Sequence, residues 1–91
     1  MSTDPRRAPG ADLPAWVEHV AAELGVDPTL VDVEQILDVA ADVAHSVARP
    51  AVPVTMLVAG LAIASGRSGE DVLATARRAA LAWASDENVL P

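Results

Sequence analysis

From Ala51 to Ser65 the chain carries no charged side chain. A helix that is apolar all round has no face that prefers water, so it has to be covered by its own chain, a partner or a bilayer. The run is too short to cross a bilayer and contains Pro53, which leaves a covered helix in a water-exposed fold. Pro53 suits the first turn of this helix, where its missing N–H is no loss. Val54, Met56, Leu57, Val58, Leu61, Ala62 and Ile63 then lead to Gly66. The expectation is the central, most buried helix of the fold. Gly60 within it costs about 1 kcal/mol of helix propensity against Ala, which suggests a close helix crossing at that point.

Three further segments show helical periodicity. Asp12 as N-cap and Pro14 in the first turn open helix one. Leu13, Val17, Val20, Ala21 and Leu24 form its stripe, and Gly25 stops it. After a turn at Asp27-Pro28, Thr29 or Asp32 caps helix two, with an apolar stripe of Val33, Ile36, Leu37, Ala40, Val43, Ala44 and Val47 ending at Arg49-Pro50. Glu34, Asp38, Asp42, His45 and Arg49 occupy its polar side. Ser68 and Asp71 give a capping-box-like start to helix four, where Val72, Leu73, Ala76, Ala79, Ala80 and Trp83 face inward and Arg77 and Arg78 outward. The expected helices lie near 13–24, 30–48, 53–65 and 69–84, with no sheet.

Short turns between the helices favour antiparallel neighbours, so the fold class is all-α, a compact four-helix up-down bundle. Residues 1–11 read as a disordered N-terminal arm, 12–86 as the four-helix domain and 87–91 as a frayed C-terminus. In an up-down bundle Trp16, His19, His45, Arg49, Thr55 and Trp83 fall at or near one pole. Apolar residues make up 52% of the chain, enough for a core, but aromatic residues only 2%, Trp16 and Trp83 alone. The core is therefore built from small side chains and stability is modest. Covering helix three on all sides takes more neighbours than a chain this short supplies. A homodimer, or an apolar patch reserved for a partner, is expected.

The net charge of -7 and the pI of about 4.4 argue against nucleic acid and against an anionic membrane surface, since either needs a basic face. The absence of Cys removes disulfides, thiolate metal sites and a thiol nucleophile. With no apolar run behind Arg6 and Arg7, there is no secretory signal and the cytoplasm is expected. His19 and His45 lie on different helices without a ligand motif, so no metal site and no cofactor is expected. Ser46 follows His45, but adjacent helical positions point apart and make no nucleophile–base pair. Gly66-Arg67-Ser68-Gly69 has no preceding strand and no Lys, and reads as a helix stop followed by a cap rather than a phosphate loop. The acidic four-helix profile suggests an acyl carrier, but no Asp-Ser-Leu attachment motif occurs. No catalytic constellation is recognisable.

The densest chemistry lies in the segment Asp42 to Thr55. Arg49 can pair with a phosphate or carboxylate. The N–H groups of Val54 and Thr55 at the start of helix three would favour the same anion, and His45, one turn before Arg49, could donate to it. The alternative is an ordinary solvated stripe, with Asp38, Asp42, His45 and Arg49 at helical spacing and Arg49 offsetting Asp42. Trp16 and Trp83 read as bundle-end core, or as contact anchors if half exposed. Trp16, His45, Arg49 and Thr55 are the candidate ligand- or partner-binding residues.

With Trp16-Val17 opening helix one, Glu23-Leu24-Gly25-Val26-Asp27 ending it, and His45-Ser-Val-Ala-Arg49-Pro50-Ala-Val-Pro53-Val-Thr55 joining helices two and three, the sequence resembles a small actinobacterial helical domain family. Its members occur alone or fused behind a molybdenum cofactor guanylyltransferase-like domain, and stand-alone members carry the label molybdopterin-guanine dinucleotide biosynthesis protein. The likeness spans nearly the whole chain after the N-terminal arm. An all-Arg basic complement and abundant Ala and Val agree with GC-rich, actinobacterial coding. The resemblance implies a role beside molybdenum cofactor maturation, with a molybdopterin nucleotidyltransferase or a molybdoenzyme as partner. It implies no transferase activity, because the strand, glycine-rich loop and Lys of that enzyme are missing. The expected function is a non-catalytic accessory or interaction domain, with an anionic-ligand-binding module or a purely structural homo-oligomer as alternatives.

Overall fold

The computed structural model describes the backbone of residues 12–89 and the side chains of residues 12–83, so the N-terminal arm expected over 1–11 lies outside the described residues. The fold is all-α: helices α1 (Leu13–Leu24), α2 (Val33–Ser46), α3 (Ala51–Ala64) and α4 (Gly69–Val89), with a single 3₁₀ turn at Pro28–Leu30 and no strand among the described residues. The sequence groups these helices into one domain. In the structure they divide into two compact units, Met1–Asp32 and Val33–Pro91.

In the first unit, α1 ends where local chemistry requires. Gly25 adopts φ 71°, a conformation that costs a side chain-bearing residue energy. Its N–H donates to the Ala22 carbonyl at 3.3 Å, and the Val26 N–H donates to the Ala21 carbonyl at 2.8 Å, which together satisfy two carbonyls orphaned at the helix end. Asp12 occupies the N-cap position but makes no side-chain cap, and Pro14 follows in the first turn. Asp27 caps the 3₁₀ turn, with its Oδ1 accepting from the Thr29 N–H at 2.9 Å and the Thr29 hydroxyl at 2.7 Å. Ala21 is buried, whereas Leu24 and Leu30 are exposed.

The second unit contains α2, α3 and α4. Gln35 near the start of α2 donates to the Glu70 carbonyl at the start of α4, Asp42 meets Arg77 midway, and Val47 and Trp83 border one groove. This ordered register makes α2 and α4 parallel. The short turns at 47–50 and 65–68 then return α3 in the opposite direction, up-down-up. Val39, Val43, Ala59, Val72, Leu73 and Ala80 form the buried cluster, with Ile36, Met56, Ala62 and Ala76 half-buried around it. None is larger than Met, in keeping with the composition.

Three features depart from the sequence reading. The stripe of α2 that packs is Ile36, Val39, Ala40 and Val43, with Val39 among its most buried residues, while Leu37 is exposed. The inward face is thus rotated from the expected one, and α4 sets that rotation. Helix α3 starts at Ala51, two residues before Pro53, because Pro53 remains within the first turn, where backbone N–H groups have no helical acceptor. Helix α4 runs to Val89 rather than 84, since no Gly or Pro interrupts it before Pro91.

The largest correction concerns α3, which is not the most buried helix. Only Ala59 is buried, whereas Val54, Leu57, Val58 and Leu61 are each at least 60% exposed. Two neighbouring helices can cover one side of a third, and Val52, Met56, Ala59 and Ala62 are on the covered side. Within the second unit the other side has no covering helix. Nor does Gly60 mark a crossing within the chain, because a Cβ added there would meet nothing within 4 Å.

Candidate functional site

The groove of the second unit is built by the faces of α2, α3 and α4 that remain after the core is filled. Val43 of α2 and Val47 just after it, Val54, Thr55, Val58 and Ala62 of α3, and Val72, Thr75, Ala76, Ala79 and Trp83 of α4 line a groove of about 450 Å³. The side chains are short because the core favours Ala and Val, and short side chains between three helices leave space rather than filling it. Trp83 borders this space and is 54% exposed. It is therefore not bundle-end core but a half-exposed aromatic at a groove rim, the setting in which Trp serves as a contact anchor.

Arg67 is the charged residue of the groove lining. It precedes α4, and its guanidinium meets Asp71 Oδ2 at 2.7 Å and the Thr75 hydroxyl at 3.5 Å. Ser68 Oγ accepts the Asp71 N–H at 3.1 Å, so the expected cap forms, and the Asp71 carboxylate turns to Arg67. This local network fixes the α3–α4 turn. It leaves the groove's remaining walls essentially apolar.

The four candidate residues are divided between the two units, Trp16 in the first and His45, Arg49 and Thr55 in the second. Thr55 lines the groove. His45 and Arg49 are exposed at the end of α2 and in the turn after it, and neither lines the groove. Trp16 belongs to the first unit, where it is exposed and its ring lies 5.8 Å from that of His19, tilted by 36°. It too is surface rather than core. His45 Nδ1 lies 2.8 Å from the Ala41 carbonyl, which can only accept, so Nδ1 carries the donated proton.

The anion-binding features read from this segment are redistributed. Asp42 does not offset Arg49. Its Oδ2 is buried and faces Arg77 Nε at 2.6 Å, a charge contact short of hydrogen-bond alignment, so Arg77 is turned towards α2 rather than simply outward. Arg49 has no polar partner among the described residues. At the start of α3, however, the Ala51 and Val52 N–H groups donate to the Ala48 and Arg49 carbonyls at 3.1 Å each, and Pro53 has no N–H. None of the first three helical positions offers a free donor, and Thr55, now the fifth residue, lies within the regular helical ladder.

Among the described residues no group of three or more His, Asp or Glu side chains converges as a metal site, and no helix is long and apolar enough to cross a membrane. The Asp27 carboxyl is shifted from its ordinary value. The Thr29 hydroxyl and then the Thr29 N–H, both donating to its carboxylate, hold it below the usual value.

The groove residues that sequence reasoning missed as a set, Val47, Val58, Ala79 and Trp83, were each visible as apolar positions. Their failure to be covered was not. No curated protein and no solved structure matches the chain. A family model does, over residues 8–88, a span that takes in most of both units. The chain belongs to the family described as a domain of unknown function, DUF6457.

Proposed function

We propose that the chain is a non-catalytic interaction module that receives the apolar face of a partner helix in the groove between α2, α3 and α4. The carrying observation is that groove, about 450 Å³ in volume, walled by Val, Ala and Thr with a half-exposed Trp83 at its rim. Exposed apolar grooves of this kind suit helix-in-groove recognition, in which side chains at i, i+3 or i+4 and i+7 serve as anchors. Its walls hold no nucleophile beside a base, so the proposal assigns no turnover to it.

The resemblance carried by His45 to Thr55 supports a molybdopterin nucleotidyltransferase or a molybdoenzyme as the source of that helix, and actinobacterial cytoplasm as the setting. In this reading the chain is an accessory of molybdenum cofactor maturation. The anionic-ligand reading retains the exposed Arg49, but the Ala51 and Val52 N–H groups are taken up by the turn, and the apolar walls favour a protein partner over it.

The test titrates the full-length chain with the molybdopterin nucleotidyltransferase encoded in the same genome, following the emission of Trp83 in a Trp16→Phe background. Val58→Asp, at an exposed groove position, should preserve the helical circular dichroism and weaken binding by at least about thirtyfold, the scale of a central interface residue. Saturable binding unaffected by Val58→Asp would remove the groove from the proposal. No binding to that enzyme or to any molybdoenzyme of the genome would remove the assigned partner.

A further inference from the structure

The opposite edge of the exposed α3 surface carries a separate inference. Val54, Leu57, Val58 and Leu61 recur at i, i+3, i+4 and i+7, a continuous stripe, and each is at least 60% exposed. Val54 and Val58 turn towards the groove, whereas Leu57 and Leu61 are not part of it. Beside the two leucines lie Gly60 and Ala64, one turn apart and both exposed. Gly60 has no role inside the chain, since a Cβ there would meet nothing within 4 Å, yet it weakens the helix that holds it.

We propose that this ridge, Leu57, Gly60, Leu61 and Ala64, docks a second copy of the same chain through an isologous helix-to-helix contact centred near Gly60. Charge selects the occupant. The chain carries a net charge of -7 and repels itself everywhere except where it has no charge, and residues 50–66 have none. A partner of either sign gains nothing from such a surface. A second uncharged ridge fits it, and the chain itself presents one. In an isologous contact the same patch serves both copies, so no carboxylate need be brought against another.

Area is sufficient. Together with Val54 and Val58, the α3 wall of the groove, the two leucines present on the order of 400 Å² of apolar surface per copy, so a contact of this size also covers that wall. Two copies face to face cover roughly 800 Å², and Pro53, Ile63 and Ala64 at the flanks carry the total towards the roughly 1,200 Å² at which specific interfaces begin. Gly60 at the crossing lets the two backbones approach closely, which explains a glycine that the single chain does not require.

The experiment is sedimentation equilibrium of the purified full-length chain over about a hundredfold concentration range, since association obeys mass action. The expected result is a reversible dimer. Leu61→Glu should raise its dissociation constant by at least about a hundredfold, with helical circular dichroism unchanged. Gly60→Leu is the second variant. It improves helix propensity and its Cβ enters open space, so it remains folded even if the glutamate variant does not, and it too should be monomeric. A wild-type monomer at every concentration overturns the proposal, as does a dimer that survives Gly60→Leu with undiminished affinity. The failure of this proposal and that of the groove reading are distinguishable, because the groove's test uses a different protein and a different substitution.

Discussion

Val43 is 1% exposed and touches the core from the middle of α2, whereas Leu61 on α3 is 63% exposed. Replacing each with Ala therefore tests the central finding about this fold, that the charge-free helix is covered on one side only. Val43→Ala removes two methyl groups, about 1.6 kcal/mol of transfer free energy at roughly 0.8 kcal/mol per carbon. It also vacates on the order of 50 Å³, adding about 1 kcal/mol if the walls do not collapse. The expected cost is about 2–3 kcal/mol. For residues 33–89 a total stability of roughly 3–9 kcal/mol is ordinary, so the loss is a large fraction of it and lowers the melting temperature by about 10–20 °C. Leu61→Ala removes a longer side chain but one mostly in water already, and Ala is the better helix former, so its cost stays under about 1 kcal/mol. The assay is urea and thermal denaturation followed by circular dichroism, in protein diluted until the midpoint no longer depends on concentration. If Leu61→Ala costs as much as Val43→Ala in dilute protein, α3 is covered within the chain and the reasoning fails.

Other outcomes follow from single contacts. Arg77→Ala leaves the buried Asp42 Oδ2 without its cation and should cost about 1–2 kcal/mol in urea denaturation, more than a fully exposed pair, with a loss that persists in high salt. Arg49→Ala should change stability by less than about 0.5 kcal/mol by the same measurement, because Arg49 is exposed and has no polar partner among the described residues. Asp27 is held below the usual carboxylate value by Thr29, so the folded state binds its proton less readily than the unfolded state. Its contribution to the 3₁₀ turn is therefore present above the ordinary Asp value of 3.8 and lost as the pH falls through the lower folded value. The Thr29 amide resonance, followed by NMR, should titrate with a midpoint below 3.8, and Asp27→Asn should abolish that titration.

How far the sequence reached depends on the range of the forces involved. The bounds of α1, Leu13–Leu24, follow from Pro14, a helical stripe and the left-handed Gly25, all within one segment. The cap at Ser68 and the stop at Gly66 are likewise local, and the structure reproduces them. Thr55 entered the candidate site by its place near a helix start, and it lines the groove for a different reason, the side of α3 on which it falls. Asp42 shows the limit on the polar side. Its nearest Arg along the chain is Arg49, but its partner is Arg77 on another helix, chosen by the register in which α2 and α4 pack.

The sequence by itself determined that four helices form, that they contain small residues, and that α3 has no face suited to water. It could not determine whether α3 is covered, because that depends on how many helices reach it and how much area they bring. Burial is a property of neighbours distant in the chain, and apolar periodicity reports only a demand for them. The tertiary structure decided that α2 and α4 cover one side, fixed by Val39, Val43, Leu73 and Ala80, and that the other side stays exposed. Uncovered apolar surface on a charged molecule is what makes both the groove and the Gly60 ridge candidates for recognition.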